Sequence, residues 1–188
     1  KDPKYVGDPI NAIRIFNEKE VDELMVLDIT ASKERREPNY ALIEQFAGEC
    51  FMPLAYGGGV RTVQQARQLF AIGVEKVCVQ SGAIENVSLI SNLVDQFGSQ
   101  SIMVSVDIKK GWLGKPKLYQ ASAAKFLEGS WLDHLSAFVH AGAGEVLLNS
   151  VDKDGTRSGP ECPPLQQAAV HVSVPLIAGG ALSGLWSL

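Results

Sequence analysis

Short apolar runs alternate with amphipathic segments along the whole chain. Six runs are continuously apolar and rich in Val, Ile and Leu, at residues 24–28, 53–56, 76–80, 102–107, 145–150 and 174–178. Their starts lie mostly 23 to 29 residues apart, which suits a strand followed by a helix better than a hairpin. The pattern therefore predicts buried parallel strands in an α/β fold.

The segments between these runs carry helix signals. Asp8 followed by Pro9 is an N-cap with proline at the first helical position, and Thr62 can cap a helix that ends before Gly73. The connection from residue 107 to residue 145 is longer than the others. Its first part, residues 109–125, is rich in Gly, Lys and Pro and predicts an inserted loop, of a kind that often forms a lid over a site.

An internal repeat appears when the chain is offset by 122 residues. Glu23 then falls on Glu145, and the two Gly-Gly pairs fall on each other, as do the Pro-Leu pairs that precede them (Pro53-Leu54 on Pro175-Leu176, Gly57-Gly58 on Gly179-Gly180). Two similar strand-plus-Gly-Gly units indicate a (βα)8 barrel built from two related halves.

Composition narrows the class of protein. The chain has 188 residues, 46% of them hydrophobic, and its 17 basic residues are outnumbered by 21 acidic ones, which argues against nucleic-acid binding. No apolar stretch approaches the roughly 20 residues of a membrane span. Cys50, Cys78 and Cys162 are singly placed, so neither disulfides nor a metal site is indicated. We expect one globular cytoplasmic domain over residues 1–188 that needs no cofactor and contacts no membrane.

Two glycine-rich turns are candidates for anion binding. Each follows a predicted strand, at Gly57-Gly58-Gly59 and at Gly179-Gly180. Backbone N–H groups that are not shielded by a side chain can cradle a phosphate there. Because the two turns are related by the repeat, they predict an elongated ligand that is phosphorylated at both ends.

Carboxylates stand where several predicted strands end, on the face that carries catalysis in a barrel. Asp107 is the strongest candidate for a general acid or base, because no helix start follows it. Asp28 and Asp152 are as readily explained by capping a helix or orienting a loop. Glu23, Lys76 and Glu145 stand at the opposite strand ends, where position alone indicates surface charge.

Five strings carry a family resemblance. They are "DELMVLDITAS" (22–32), "PLAYGGGV" (53–60), "EKVCVQSGA" (75–83), "FGSQSIMVSVDIKKG" (97–111) and "GAGEVLLNSVDKDGTRSG" (142–159). Together they resemble the cyclase subunit of imidazole glycerol phosphate synthase. Within that family, "NAIRIFNEKEVDELMVLDI" (11–29) is more similar to the paralogous branch associated with lipopolysaccharide sugar biosynthesis.

The resemblance implies a (βα)8 barrel that acts as a lyase in histidine biosynthesis. Its activity would join ammonia from a glutaminase partner to a ribulosyl formimino substrate with a phosphate at each end. The products would be imidazole glycerol phosphate and aminoimidazole carboxamide ribonucleotide. The alternative within the family is a barrel that serves surface-polysaccharide sugar biosynthesis.

The resemblance also implies residue roles. Asp107 matches a catalytic aspartate, and Asn149 and Ser150 would line the pocket beside it. One phosphate would be held by Gly58, Gly59, Gln80 and Ser81, and the other by Asp154, Gly155, Gly179 and Gly180. The resemblance reassigns Glu23, Lys76 and Glu145 to an ammonia gate at the face where the glutaminase docks.

The chain departs from the family pattern at both ends. About six βα units, corresponding to the family's strands 2–7, are recognisable, and the strand with a second catalytic aspartate has no counterpart. A catalytically inactive barrel fragment is therefore a further alternative. Such a fragment would expose strand edges at residues 24–28 and 174–178, through which copies of the chain could associate.

Overall fold

The computed structural model describes residues 8–112, 114–154, 156, 159 and 161–179. Gly155 and Gly180, which are predicted to bind phosphate, lie outside the described residues. Eight strands form the sheet: β1 (Leu24–Leu27), β2 (Leu54–Gly57), β3 (Lys76–Val79), β4 (Ile102–Lys110), β5 (Pro116–Gln120), β6 (Lys125–Phe126), β7 (Glu145–Ser150) and β8 (Leu176–Gly179).

Six of these strands are parallel, in the order β1-β2-β3-β4-β7-β8. They fall on the six apolar runs, so the predicted parallel α/β fold class is confirmed. In the part of the chain that the structure describes, β1 and β8 form the two edges of the parallel sheet. All strand starts therefore lie at one end of the sheet, and all carboxyl ends lie at the other.

Helices follow the strands along the chain. They are α1 (Pro9–Glu18), α2 (Ile29–Glu34), α3 (Tyr40–Glu49), α4 (Val63–Ala71), α5 (Ser81–Glu85), α6 (Ser88–Phe97), α7 (Trp131–His140) and α8 (Cys162–Ala169). Both predicted caps are present, since Asp8 accepts from the Ile10 N–H and Thr62 forms a capping box with Gln65. Among the described residues, no helix has the length and apolarity required to cross a membrane.

The two faces of the parallel sheet bury different residues. The main core fills the space between strands and helices, with residues such as Ile13, Phe46, Leu69, Leu93 and Phe138. A smaller cluster lies on the other face of the sheet, which we call the inner face. It contains Cys78, Met103 and Leu147, with Met25 and Ile177 packed against it. Side chains alternate along a strand, so each strand contributes to both faces.

The internal repeat is visible in the elements themselves. An offset of 122 residues carries α1 onto α7 and β2 onto β8 with identical bounds. The same offset starts α8 where α3 starts and places β1 within β7. The two copies therefore share their order of elements as well as their glycines, as a barrel of two related halves requires.

The segment predicted to be an inserted loop is a β-hairpin instead. Strand β4 continues past Asp107 to Lys110, and β5 pairs with it antiparallel, with Ile108 opposite Leu118. Both of these side chains are buried, and their burial holds the extension against α7. The hairpin ends in a short 3-10 turn, Ala121–Ala123, which lies against α2.

Candidate active site

A cavity of about 140 Å³ opens at the carboxyl ends of the parallel strands. Six of the residues predicted to act there line it: Gly58, Gly59, Gln80, Ser81, Asp107 and Asn149. They come from β4, β7, the turn after β2 and the residues that follow β3, and parallel register brings these strand ends together. A cavity at this end of the strands is where barrel enzymes place their chemistry.

The Asp107 carboxyl group is buried on the inner face, with 8% of the residue exposed. Its Oδ1 accepts hydrogen bonds from the Ser105 hydroxyl at 3.0 Å and from the Asn149 amide at 3.3 Å. The Gln80 amide approaches the same carboxyl group without meeting hydrogen-bond geometry. Described residues give Asp107 no cationic partner within ion-pair distance.

Burial raises the pKa of Asp107 above its ordinary value, and the nearby Asp154 carboxylate raises it further. The neutral donors Gln80, Ser105 and Asn149 oppose this shift without cancelling it. A carboxyl group with a raised pKa holds its proton at a higher pH than an ordinary aspartate does. Asp107 is therefore suited to general acid and base catalysis.

The turn after β2 has the backbone that the glycine-rich sequence predicts. Gly58 and Gly59 have φ of +131° and +73°, and a Cβ on Gly58 would collide with the Asp28 carbonyl oxygen. This turn leads to α4, and Arg61 lies between them as the one cationic side chain among the described cavity-lining residues. The turn therefore offers backbone N–H groups beside a positive charge.

Ser81 is the first residue of α5 and lines the same cavity as this turn. Its side chain is buried, and its hydroxyl oxygen is 2.8 Å from the Ser122 hydroxyl oxygen. Gln80 precedes it at the end of β3 and makes no capping hydrogen bond to α5. Both residues present polar groups to the cavity, as the sequence prediction requires of a binding site.

The second predicted phosphate site is only partly brought together. Asn149 pairs with Gly179 in the sheet, and the Asp154 N–H donates to the Ser150 carbonyl oxygen in the turn that follows β7. Ser150 faces the other way, because neighbouring residues of a strand point to opposite faces. Its hydroxyl donates to Glu161 at 3.0 Å, in a small crevice against α8, so the structure does not place Ser150 in the cavity.

Three charged residues meet at the opposite end of the strands. The Lys76 ammonium lies 2.8 Å from a Glu23 carboxylate oxygen and 2.9 Å from a Glu145 carboxylate oxygen. Burial lowers the pKa of Lys76, but its hydrogen bonds to the two carboxylates outweigh this effect and raise that pKa overall. The spacing of these residues had indicated surface charge, whereas parallel register gathers them into one cluster.

An apolar layer separates the charged cluster from the cavity. Along the inner face, Cys78 lies between Lys76 and Gln80, and Leu147 lies between Glu145 and Asn149. Four residues of extended chain span about 13 Å, so the two polar regions are about that far apart. Burial, with the charges of Asp107 and Glu145, raises the pKa of the Cys78 thiol to about 12, which keeps it neutral.

Sequence comparison shows which family the chain belongs to. The family model described as "Histidine biosynthesis protein" matches residues 1–186. The chain belongs to this family. Its predicted fold, the (βα)8 or TIM barrel, is the fold of histidine biosynthesis proteins, so the barrel prediction is confirmed together with the resemblance.

Curated relatives within the histidine biosynthesis family are similar over nearly the whole chain. A protein from Pseudomonas aeruginosa, provisionally named imidazole glycerol phosphate synthase subunit hisF2, is 48% identical over 100% of this chain and 75% of its own length. A Leptospira borgpetersenii protein, provisionally named imidazole glycerol phosphate synthase subunit HisF, is 46% identical over 96% of this chain and 72% of its own. The imidazole glycerol phosphate synthase subunit HisF of Streptococcus sanguinis is 41% identical over 93% of this chain and 69% of its own length.

Two aspartates at strand ends have structural roles in this member of the histidine biosynthesis family. Asp28 caps α2, accepting from the Thr30 and Ala31 N–H groups, and it pairs with Arg36 at 2.9 Å. Asp152 accepts from the Lys110 N–H at 2.7 Å and so fastens the hairpin to the turn after β7. The capping and loop-orienting contacts expected of these aspartates are therefore present, and Asp28 also lines the cavity.

Four polar cavity-lining residues were not predicted from the sequence: Ser32, Arg61, Ser122 and Ser105, which donates to Asp107. Ser32 of α2 accepts the Gly59 N–H at 3.1 Å, and the Arg61 guanidinium donates to the Ser32 carbonyl oxygen at 3.3 Å. Ser122 reaches the cavity from the hairpin. The string "DITAS" contains Ser32, but nothing local to Ser122 indicates a site, because tertiary packing brings the hairpin there.

Proposed function

We propose that this chain is the cyclase of an imidazole glycerol phosphate synthase. It joins ammonia to a bis-phosphorylated ribulosyl formimino substrate and releases imidazole glycerol phosphate and aminoimidazole carboxamide ribonucleotide. The family and the relatives' names support this reaction class. The observation that carries the proposal is the buried Asp107 carboxyl group, whose pKa is raised, in a cavity at the carboxyl ends of the strands.

Asp107 acts as the general acid and base. Ring closure and cleavage both require protons to move between nitrogen and oxygen atoms of the substrate. A carboxyl group in a nonpolar setting, with neutral donors alone on its Oδ1, exchanges a proton more readily near neutral pH than an ion-paired one does. Asn149 and Ser105 hold the orientation of the carboxyl group during this exchange.

The two phosphates of the substrate occupy opposite sides of the cavity. Gly58, Gly59, Gln80 and Ser81 bind one of them, supported by the charge of Arg61. Asp154, Gly155, Gly179 and Gly180 bind the other, next to Asn149. Anchoring both ends places the formimino centre between the two anchors, beside Asp107.

Ammonia enters at the charged cluster and passes through the apolar layer. Glu23, Lys76 and Glu145 close the entrance, and a glutaminase subunit docks on that face. The inner-face residues Cys78, Met103 and Leu147 present no charged group to a small neutral molecule. The word "subunit" in the relatives' names supports an assembly with a partner chain.

The direct test supplies the purified chain with the bis-phosphorylated substrate and an ammonium salt. We expect both products to form in equal amounts, at a rate that rises with the concentration of free ammonia. Adding a glutaminase subunit and glutamine should replace the ammonium salt. Absence of ammonia-dependent product, with a folded chain, would contradict the proposal.

One observation favours a second candidate, the paralogous barrel of surface-polysaccharide sugar biosynthesis. Identity is 48% to the relative numbered hisF2 and 41% to the Streptococcus relative, whose name carries no number. The string at residues 11–29 resembles the paralogous branch as well. Complementation separates the two candidates, because the histidine enzyme restores growth of a histidine auxotroph that lacks its cyclase, and the paralogue does not.

A further inference from the structure

Two serine hydroxyls lie against the groups proposed to bind the first phosphate. The Ser32 hydroxyl oxygen accepts the Gly59 N–H at 3.1 Å, and the Ser122 hydroxyl oxygen lies 2.8 Å from that of Ser81. All four residues line the same cavity. Neither Ser32 nor Ser122 belongs to a sheet strand, so the two hydroxyls approach the cavity from outside the sheet.

The Ser32 hydroxyl retains a hydrogen to donate. A hydroxyl has one O–H donor and two acceptor lone pairs, and the Gly59 N–H uses one lone pair. Ser32 is also held in place through its backbone, because its carbonyl oxygen accepts from Arg61. The hydroxyl is thus fixed beside the Gly59 N–H and the Arg61 guanidinium, whose Nε also lies 3.5 Å from a Glu85 carboxylate oxygen. All three are groups that bind phosphate oxygens.

The Ser122 hydroxyl forms the second half of this arrangement. In the contact between Ser81 and Ser122, one hydroxyl donates to the other, and the receiving hydroxyl keeps its own hydrogen for another acceptor. Ser122 lies in the 3-10 turn at the end of the hairpin, and this turn packs against α2. The packing therefore brings both serines to the lining of one cavity.

We propose that Ser32 and Ser122 are additional phosphate-binding residues, which complete the cradle of Gly59 and Ser81 from α2 and from the hairpin. This inference rests on the phosphate site of the proposed function. On binding, the Gly59–Ser32 and Ser81–Ser122 hydrogen bonds open, and each of the four groups donates its hydrogen to a phosphate oxygen instead. In the opposing interpretation, the hydroxyls block the site and must be displaced before a phosphate can enter.

Titration calorimetry with inorganic phosphate as the probe separates these interpretations. We expect Ser32→Ala and Ser122→Ala each to weaken phosphate binding about 5- to 10-fold, which corresponds to the loss of one ordinary hydrogen bond. Ser122→Thr, which keeps the hydroxyl, should bind within about twofold of the unchanged chain. Ser88→Ala, an exposed position on α6, is the matched control and should have no effect.

The contrary results are equally specific. If the alanine variants bind phosphate as tightly as the unchanged chain, or more tightly, the serines are not ligands. If the unchanged chain shows no phosphate binding, the proposal also fails. Thermal unfolding of each variant, with and without phosphate, confirms that the fold persists and gives a second measure of binding.

Turnover measurements keep this inference separate from the proposed function. Serine-dependent phosphate binding without ammonia-dependent turnover would leave the cradle standing and overturn the cyclase. Ammonia-dependent turnover that is unchanged in both alanine variants would leave the cyclase standing and overturn the cradle. Where both hold, the alanine variants should raise KM for the bis-phosphorylated substrate about 5- to 10-fold and change kcat much less, because binding rather than proton transfer is impaired.

Discussion

The two ends of the inner face hold carboxyl groups in opposite electrostatic settings. At the strand starts, Glu23 and Glu145 share the ammonium of Lys76, and all three side chains keep some contact with solvent. At the carboxyl ends, Asp107 is more deeply buried and meets neutral donors. One end neutralises its carboxylates by pairing, whereas the other leaves a carboxyl group to be neutralised by a proton.

This difference matches the roles of gate and catalyst that we propose for the two ends. The ion pairs keep the lysine and both glutamates charged. Such charged groups suit a gate that must not exchange protons with the ammonia that passes it. A buried carboxyl group without a cation has a raised pKa, which suits proton transfer. The contrast depends on the alternation of side chains along each strand. Residues two positions apart share the inner face, so that face carries a polar, an apolar and a second polar layer in succession.

The largest expected effect is on the rate at the catalytic end. Asp107→Asn keeps the size of the side chain and an oxygen that accepts from Ser105, but it removes the proton-transferring group. We expect ammonia-dependent turnover to fall about 10²- to 10⁴-fold, as loss of a general acid or base does. Asp95→Asn, on an exposed turn of α6, serves as the control. Steady-state rates near those of the unchanged chain would remove Asp107 from the mechanism.

A smaller effect is expected on stability at the gate end. Lys76→Met deletes the shared cation and leaves two carboxylates close together. We expect a loss of about 1–2 kcal/mol in the free energy of unfolding, less than for a fully buried pair because these side chains are partly exposed. Urea unfolding of this variant, beside Lys125→Met at an exposed strand position, measures the difference. Equal losses of unfolding free energy in the two variants would show that the ion pairs of Lys76 do not stabilise the fold.

The smallest effect should have the opposite sign. Because the folded state raises the pKa of Asp107, it binds that proton more tightly than the unfolded state, and stability falls as pH rises through the raised pKa. At pH 7, Asp107→Asn should therefore stabilise the fold by about 1 kcal/mol. The gain should vanish as pH falls below the ordinary aspartate pKa of about 3.9. A loss of stability at pH 7 would mean that the carboxylate is satisfied in the folded state.

The strands and part of the catalytic end could be predicted from the sequence. Continuous apolar runs are typical of buried parallel strands, and five of the six strands lie within two residues of the predicted bounds. The sixth, β4, continues three residues further, to Lys110. Asp107, Gly58 and Gly59 carry local signals, namely a carboxylate at a strand end and glycines that need positive φ. These features depend on neighbours in the chain.

Features that depend on distant neighbours were harder to predict. The hairpin was interpreted as a loop, because its burial depends on the pairing of Leu118 with Ile108 rather than on any alternation in its own Lys-rich sequence. Ser122 enters the cavity through that same pairing. The meeting of Lys76 with two glutamates followed from the family resemblance alone, since it depends on register between strands 53 and 69 residues apart.

The ratio of glutamine-driven to ammonia-driven turnover, measured with the glutaminase partner present, tests the separation of the two ends most directly. Asp107→Asn should lower both rates by the same factor and leave the ratio unchanged, because proton transfer is required whatever the source of ammonia. Lys76→Met should lower the ratio about 5-fold or more, because it alters the entrance through which glutamine-derived ammonia passes. A ratio that changes alike in both variants would contradict the assignment of gate and acid to opposite ends of the strands.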